Sequence, residues 1–163
     1  MILSLDPSSS VIGFAAFADS GSLVEGGLIE PEVRSAGSYW RIRSMAADLA
    51  AILDEFTPHV ILIEWTKGKV GTRRHTGLGA GLAVYGAGIG SVANQCEAWA
   101  AGHQARVVPV LENTWTRGVP KASRQAAIAA TIESYDASRD PGGDVADAIG
   151  MAQWWFKETL VRV

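Results

Sequence analysis

The sequence contains a single cysteine, Cys96, among its 163 residues, so it can form no internal disulfide. A chain without disulfides is typical of reducing compartments, and we expect a cytoplasmic protein. Long hydrophobic runs are also missing, because the most apolar stretch, residues 78–93, is interrupted by five glycines. We therefore predict no membrane span. The first ten residues contain no lysine or arginine, which argues against a secretory signal.

Charged residues are few, at 19%, and the net charge is −3, which at first argues against a nucleic-acid partner. The distribution of charge along the sequence, by contrast, favours such a partner. Residues 65–96 and residues 113–132 contain no acidic residue, although each stretch contains several lysines and arginines. Two bound divalent cations would also bring the net charge to about +1. The two basic stretches therefore favour contact with phosphates, and the alternative is that they are ordinary solvated loops.

The remaining pattern predicts an α/β fold. Apolar runs bounded by turn residues predict strands at 1–6, 11–18, 23–29, 59–64 and 105–110. Helical patterning or composition predicts helices at 38–56, with Ser38 as N-cap, and at 77–101, 121–134 and 144–161. Short turns join the first three strands into an antiparallel meander, and a helical crossover makes the fourth strand parallel to the first. We expect one domain over residues 1–163, with a five-stranded mixed sheet flanked by helices.

Four carboxylates occupy positions where such a fold places active sites. Asp6 ends the first predicted strand and Glu64 ends the fourth, so both would emerge at the same edge of the sheet. Asp144 and Asp147 are three residues apart, which places them on one helix face. That helix can pack on the sheet through its apolar residues Val145, Ile149, Ala152 and Phe156. Taken singly, the aspartates could serve as turn or helix-capping residues. Glu64 follows a wholly apolar strand, where an unpaired carboxylate is costly, and the set of four predicts a metal site.

The ligands of this predicted site are all oxygens, with no neighbouring histidine or cysteine, which suits Mg²⁺ or Mn²⁺. Four carboxylates can hold two such ions, and two ions can activate a water and stabilise the leaving oxygen of a phosphodiester. The expected chemistry is therefore metal-dependent phosphodiester hydrolysis.

Three segments resemble RuvC-type Holliday junction resolvases, a group of the RNase H-like nuclease superfamily. Residues 1–15, MILSLDPSSSVIGFA, are similar to the family's opening hairpin, residues 60–64 to its second acidic strand, and residues 144–152 to its terminal acidic helix. The resemblance implies an RNase H-like fold, with Asp6, Glu64, Asp144 and Asp147 as catalytic metal ligands. It also implies a homodimeric endonuclease that resolves four-way junctions by paired symmetric nicks during DNA recombination and repair.

The sequence departs from the family pattern at three places. Ser8 replaces the glycine that follows Asp-Pro in the family, Trp65 directly follows Glu64, and residues 77–91 are unusually rich in glycine. In these details the chain resembles a divergent, virus-encoded branch, and we expect it to act in a bacterial or phage-infected cell. The departures leave open whether the substrate is a four-way junction or instead a flap, a fork or an RNA–DNA hybrid.

Predicted contacts to DNA come from the two basic stretches. The residues expected to bind phosphates are Lys67, Lys69, Arg73, Arg74, Arg117, Lys121 and Arg124. The last three resemble the basic segment that the family carries before its last acidic helix. Trp65 and Trp115 lie next to proposed site elements, where each could stack on an unpaired base or buttress the site.

The glycine-rich stretch carries a stripe of small residues, Gly79, Ala83, Gly86, Gly90 and Ala93, at helical spacing. Such a stripe allows close packing, either at a seam between two copies of the chain or against its own sheet.

A different class of function, a nucleotide-binding module, is suggested by the near match of residues 84–91 to the G-x-G-x-x-G fingerprint. Ser91 replaces the last glycine of that fingerprint, and no acid lies about 20 residues further on. Actin-like ATPases share the fold but need two such domains, for which 163 residues leave no room. A catalytically inactive DNA-binding module is the other alternative, against which the complete set of four acids argues.

Overall fold

A computed structural model of the chain describes residues 1–66 and 78–160, with side chains described over 1–66 and 83–159. The strands are β1 (Ile2–Pro7), β2 (Ile12–Phe17), β3 (Leu23–Ile29), β4 (Val60–Trp65) and β5 (Arg106–Leu111). The helices are α1 (Ser38–Phe56), α2 (Leu78–His103), α3 (Glu112–Thr116), α4 (Lys121–Thr131) and α5 (Asp144–Leu160), with a 3₁₀ turn at Ala137–Arg139.

The five strands form one mixed sheet in the order β3-β2-β1-β4-β5. β1, β2 and β3 pair antiparallel, whereas β4 pairs parallel with both β1 and β5. The predicted meander followed by parallel strands is therefore confirmed. β1 is buried along its whole length and β4 over its first four residues. This explains why both are nearly continuous apolar runs rather than alternating ones.

Helices cover both faces of the sheet. On one face, Met45, Leu49 and Leu53 of α1 belong to a buried cluster that also contains Cys96 of α2. On the other face, α5 packs on β1 and β2 through the predicted apolar positions, with Ile149 fully buried. α5 is thus fixed along the sheet, which determines where the acids of its first turn lie.

Several predicted details were wrong. Ser38 is the first residue of α1 rather than its N-cap, because the Gly37 carbonyl accepts the first backbone hydrogen bonds, from Trp40 and Arg41. α4 ends at Thr131 instead of residue 134, since Ile132 turns to an extended conformation. The short helix α3 and the 3₁₀ turn were not predicted, because neither is long enough to show helical periodicity.

The glycine-rich segment forms part of α2, so residues 82–85 are not the strand that a dinucleotide-binding fingerprint requires. Within the predicted stripe, Gly86 and Gly90 are exposed, and a Cβ added at either would meet nothing within 4 Å. Packing of these two glycines on their own sheet is therefore excluded. Gly88 is the close-packed glycine instead, because a Cβ there would lie 3.1 Å from the Ser8 carbonyl oxygen.

Among the described residues, no helix is both long and apolar enough to cross a membrane.

Candidate active site

The four predicted carboxylates line one open cavity of about 470 Å³ at the edge where β1 and β4 end. Leu5 pairs with Ile63 in the parallel register, so the next residues, Asp6 and Glu64, lie where the pairing of β1 with β4 ends. Asp144 and Asp147 reach the same cavity from the first turn of α5. The strand ends and the helix face predicted from the sequence therefore meet at one place.

Gly13 of β2 allows the first turn of α5 to approach the sheet this closely. A Cβ at position 13 would lie 2.2 Å from the backbone carbonyl oxygen of Asp144, a distance that no real side chain can adopt. Gly13 pairs with Asp6 across the hairpin. The same point of the sheet therefore carries the Asp6 carboxylate and leaves room for Asp144.

Asp140, which the sequence reasoning missed, fixes the start of α5. Its buried carboxylate accepts hydrogen bonds from the backbone N–H groups of Asp144 at 2.9 Å and Ala146 at 3.0 Å. The hydroxyl of Tyr135 donates a third, at 2.7 Å. Asp140 thus satisfies helical N–H groups that lack intrahelical partners, which leaves the Asp144 side chain free to face the cavity. An acid four residues before the helical Asp144 is the signal that could have identified it.

The ammonium group of Lys121 lies among three of the four acids. Its Nζ is 2.6 Å from Oδ1 of Asp144, 3.2 Å from Oδ2 of Asp147 and 3.3 Å from Oδ2 of Asp6. Only 39% of the lysine side chain is exposed, and that of Asp147 is 3% exposed. Lys121 therefore neutralises part of the acidic cluster in the absence of metal.

A second cation, Arg124, holds Asp147 through a two-point contact. Its Nε donates to Oδ1 at 2.8 Å and its Nη2 donates to Oδ2 at 2.7 Å, the geometry that makes arginine–carboxylate pairs strong. This contact orients the Asp147 carboxylate within the cavity, and the guanidinium group covers one side of that carboxylate.

Trp115 connects this arginine to the remaining acid. Its indole N–H donates to Oε2 of Glu64 at 2.8 Å, and the Arg124 guanidinium lies 4.9 Å from the ring centroid. The ring is 8% exposed and lies against Gly150 of α5. Of the two roles considered for Trp115, buttressing fits this position, whereas stacking on a base does not, because the ring has no free face.

Burial dominates the electrostatics of the strand-end acids. It raises the pKa of Glu64 from 4.5 to about 7, against the Trp115 hydrogen bond that lowers it, and nearby Asp147 raises it further. Burial, followed by the charge of Glu64, likewise holds the pKa of Asp6 well above its usual range, although Lys121 opposes this. The negative charge of the strand-end acids is therefore only partly balanced at neutral pH.

This imbalance predicts that the metal-free protein loses stability as the pH rises from about 5 to 7.5. Between the ordinary pKa of Glu64 and its raised value of about 7, the folded state binds more protons than the unfolded state. The free energy of unfolding should consequently fall by roughly 2 kcal/mol, after allowance for partial exposure. Urea unfolding in EDTA at several pH values measures this. Glu64→Gln should remove the part of the decrease that Glu64 contributes and leave the part due to Asp6, and an equally steep decrease in that variant would contradict the assignment to Glu64.

The donor set of the cavity fits a hard divalent cation, because it consists of carboxylate oxygens. Within the described ranges, however, no three acidic, histidine or cysteine side chains are close enough to one another to bind a metal as they stand. Three of the carboxylates contact the ammonium group of Lys121. Binding of a cation by Asp6, Asp144 and Asp147 would therefore compete with Lys121.

The other predicted DNA contacts are scattered. Lys67, Lys69, Arg73 and Arg74 lie outside the described residues. Arg117 pairs with Glu158 of α5 at 3.2 Å and does not line the cavity. Trp65 is 38% exposed at the end of β4, so a stacking role for it stays a prediction.

Two residues that the sequence reasoning missed also line the cavity. Glu112 directly follows β5, where the third parallel strand ends, and it adds a fifth carboxylate at this edge of the sheet. Tyr85 enters from α2, and burial raises the pKa of its phenol. The position of Glu112 at a strand end, like that of Asp6 and Glu64, is the signal that could have identified it.

The structure is similar to those of several Holliday junction resolvases. Thermus thermophilus RuvC, solved in complex with a Holliday junction substrate, matches with a TM-score of 0.64 and 15% identity, over 94% of this chain and 90% of that chain. The fowlpox virus resolvase, solved with substrate Holliday junction DNA, matches with a TM-score of 0.63 and 12% identity, over 97% and 99%. The yeast mitochondrial resolvase gives a TM-score of 0.54 and 15% identity, over 94% and 76%.

No protein-family model matches the sequence, and no curated protein matches it either. At 11–15% identity the structural likeness establishes the fold alone. The chain thus has the RNase H-like fold of RuvC-type resolvases, including a viral one, and this confirms the predicted fold class and the predicted likeness.

Proposed function

We propose that residues 1–163 form a single nuclease domain that cuts branched DNA, most specifically four-way junctions, by metal-dependent phosphodiester hydrolysis. The observation that carries this proposal is the convergence of Asp6, Glu64, Asp144 and Asp147 in one cavity, on a fold shared with junction resolvases. Asp144 and Asp147 are not needed to cap α5, because Asp140 accepts hydrogen bonds from the backbone at the start of that helix.

In this proposal the same four carboxylates hold two Mg²⁺ or Mn²⁺ ions. When bound, the ions supply an activated water and charge stabilisation at the leaving oxygen. The chain's own residues align the ligands: Trp115 orients Glu64 through its indole N–H, and Arg124 orients Asp147. Lys121, which contacts three of these carboxylates, would then be available to a DNA phosphate.

Phosphate contacts along the DNA arms are assigned to the basic residues predicted from the sequence. These are Lys67, Lys69, Arg73 and Arg74 in the stretch after β4, together with Arg117, Lys121 and Arg124. Trp65, exposed at the end of β4, is proposed to stack on an unpaired base.

Paired symmetric nicks need two sites at a fixed separation, and one domain of this size holds one site. A homodimer with two-fold symmetry satisfies this requirement. The exposed glycines of the α2 stripe, Gly86 and Gly90, are proposed as the seam, because small residues allow two helices to approach closely.

Cleavage of a matched panel of labelled substrates tests the proposal. The panel consists of a four-way junction, a flap, a fork, a duplex, a single strand and an RNA–DNA hybrid. We expect Mg²⁺-dependent cleavage that is fastest on the junction, with two symmetric nicks in one binding event. Light scattering should give about twice the 17.2 kDa chain mass. Preference for flaps, forks or hybrids by a monomer would support the broader nuclease and contradict junction resolution. Binding without any cleavage would indicate an inactive DNA-binding module.

A further inference from the structure

Two aromatic side chains in the first turn of α1 are left facing solvent. Tyr39 is 65% exposed and Trp40 is 60% exposed, and their rings contact each other edge to face at 5.0 Å. The guanidinium group of Arg43, one turn later, lies 5.7 Å from the Trp40 ring centroid. Exposed aromatic rings that cluster in this way are typical of interaction sites.

Positive charge predominates between Glu32 and Asp48, in the segment that carries this aromatic pair. Residues 33–47 contain three arginines and no acidic residue, a pattern like that of the two basic stretches described above. Arg41 is used within the fold, since it donates to the Ala36 carbonyl, and Arg34 pairs with Glu30. Arg43 is exposed and has no acidic partner among the described contacts. The patch therefore offers stacking surfaces beside an available cation.

The topology places this patch at the same edge of the sheet as the carboxylates. In the register of the meander, Pro7 of β1 pairs with Ile12 of β2, and Ile12 pairs with Ile29, where β3 ends. The end of β3 is therefore at the same height in the sheet as Pro7, the residue that follows Asp6. The loop from Glu30 to the start of α1 is short, since α1 begins eight residues after Glu30.

α2 separates the patch from the catalytic cavity. Its residues Ala83, Val84 and Ala87 line a groove that also includes Tyr39 and Arg43, whereas Tyr85 lines the cavity with the acids. The separation is about one helix diameter, roughly 10 Å. A DNA strand rises about 3.4 Å per nucleotide, so the patch lies about three nucleotides from a phosphate at the carboxylates.

We propose that Tyr39, Trp40 and Arg43 form a nucleic-acid subsite that stacks on an unpaired base near the scissile phosphate. This inference rests on the proposed function and extends it, because it identifies how the site distinguishes DNA with an exposed base from an intact duplex. Every base presents a flat π surface, so aromatic stacking here selects for an open structure rather than a sequence. Arg43 adds a phosphate contact alongside.

A second copy of the chain fits this patch less well. A two-fold interface centred on the patch would bring the same surface of both copies together, so each Arg43 would approach its own equivalent across the axis. Nucleic acid supplies both partners that the patch lacks, a stacked ring and a negative charge.

Binding measured in Ca²⁺, with intact DNA verified after each run, tests the subsite without hydrolysis. The Tyr39→Ala/Trp40→Ala variant should bind a four-way junction about tenfold more weakly, with an unchanged salt slope because no charge is lost. Arg43→Ala should reduce the log–log salt slope by about 0.9. Arg106→Ala is the matched control, since Arg106 makes a similar contact with Trp155, at 5.3 Å, where β5 begins at the opposite edge; it should leave both values unchanged.

A fluorescent base analogue placed one to six nucleotides from the cut distinguishes stacking from general loss of affinity. We expect quenching centred near the third nucleotide in the parent protein and none in the double variant at saturating protein. Parental affinity and quenching in the double variant would overturn the proposal, as would conversion of a dimer to a monomer. These outcomes are separate from failure of the nuclease proposal, which would appear as a parent protein that binds junctions but does not cut them.

Discussion

Glu64→Gln should reduce metal-dependent cleavage by roughly 1,000-fold, because the variant loses several kcal/mol of metal-assisted charge stabilisation. The same substitution should not lower the free energy of unfolding. Burial already disfavours the charged form of Glu64, and a glutamine oxygen can still accept the hydrogen bond from Trp115. Cleavage assays in Mg²⁺ and urea unfolding in EDTA measure the two effects. A large loss of activity without loss of stability is what a metal ligand, as opposed to a structural acid, should show.

The matched control is Glu55→Gln, which changes an exposed acid on α1 and should alter neither property. Asp6→Asn, Asp144→Asn and Asp147→Asn should lose cleavage to a similar extent. Cleavage near the parental rate in Glu64→Gln would rule out the two-metal arrangement, whatever the other variants do.

Lys121→Met should lower the stability of the metal-free protein and enlarge the stabilisation that Mn²⁺ provides. Without the ammonium group, Asp6, Asp144 and Asp147 repel one another in a cavity that is partly closed to water. We expect a loss of about 2 kcal/mol, a value reduced for the partial exposure of the lysine. This corresponds to a decrease of about 5 °C in Tm in EDTA. The increase in Tm on adding Mn²⁺ should be larger than in the parent, because no ammonium group competes for the carboxylates.

Thermal unfolding with and without Mn²⁺ measures both changes. Lys157→Met, an exposed lysine on α5, serves as the control and should behave like the parent. If Lys121→Met keeps the parental Tm in EDTA, the ammonium group is not stabilising the acidic cluster.

The sequence was most informative where hydrophobic pattern and charge coincide. An apolar strand that ends in an acid, as in β1 and β4, predicted both the parallel pairing and the neighbouring positions of Asp6 and Glu64. The spacing of Asp144 and Asp147, with Ile149 on the opposite side, predicted the helix and the face that it buries. In each case local periodicity and the fold's connectivity require the same arrangement.

Contacts between segments distant in sequence could not be predicted, because periodicity does not indicate which side chains contact each other. Lys121 and Arg124 were predicted to bind phosphate, yet both contact acids of α5 that lie 23 residues away in sequence. Trp115 was left between two roles because its contact with Glu64 spans 51 residues. Tyr39 and Trp40 were missed because an exposed aromatic residue leaves no signature in a hydrophobic pattern.

The close approach at Gly13 constrains how the sequence can vary. Its missing side chain makes room for the carbonyl of Asp144, so any larger residue would shift α5 and both of its acids together. Position 13, where glycine contributes no side chain, would therefore be as intolerant of substitution as the carboxylates themselves. Among distant relatives that have diverged almost everywhere, the pairing of Asp6 with a glycine across the hairpin would outlast most of the core, and it could serve as a marker for recognising them.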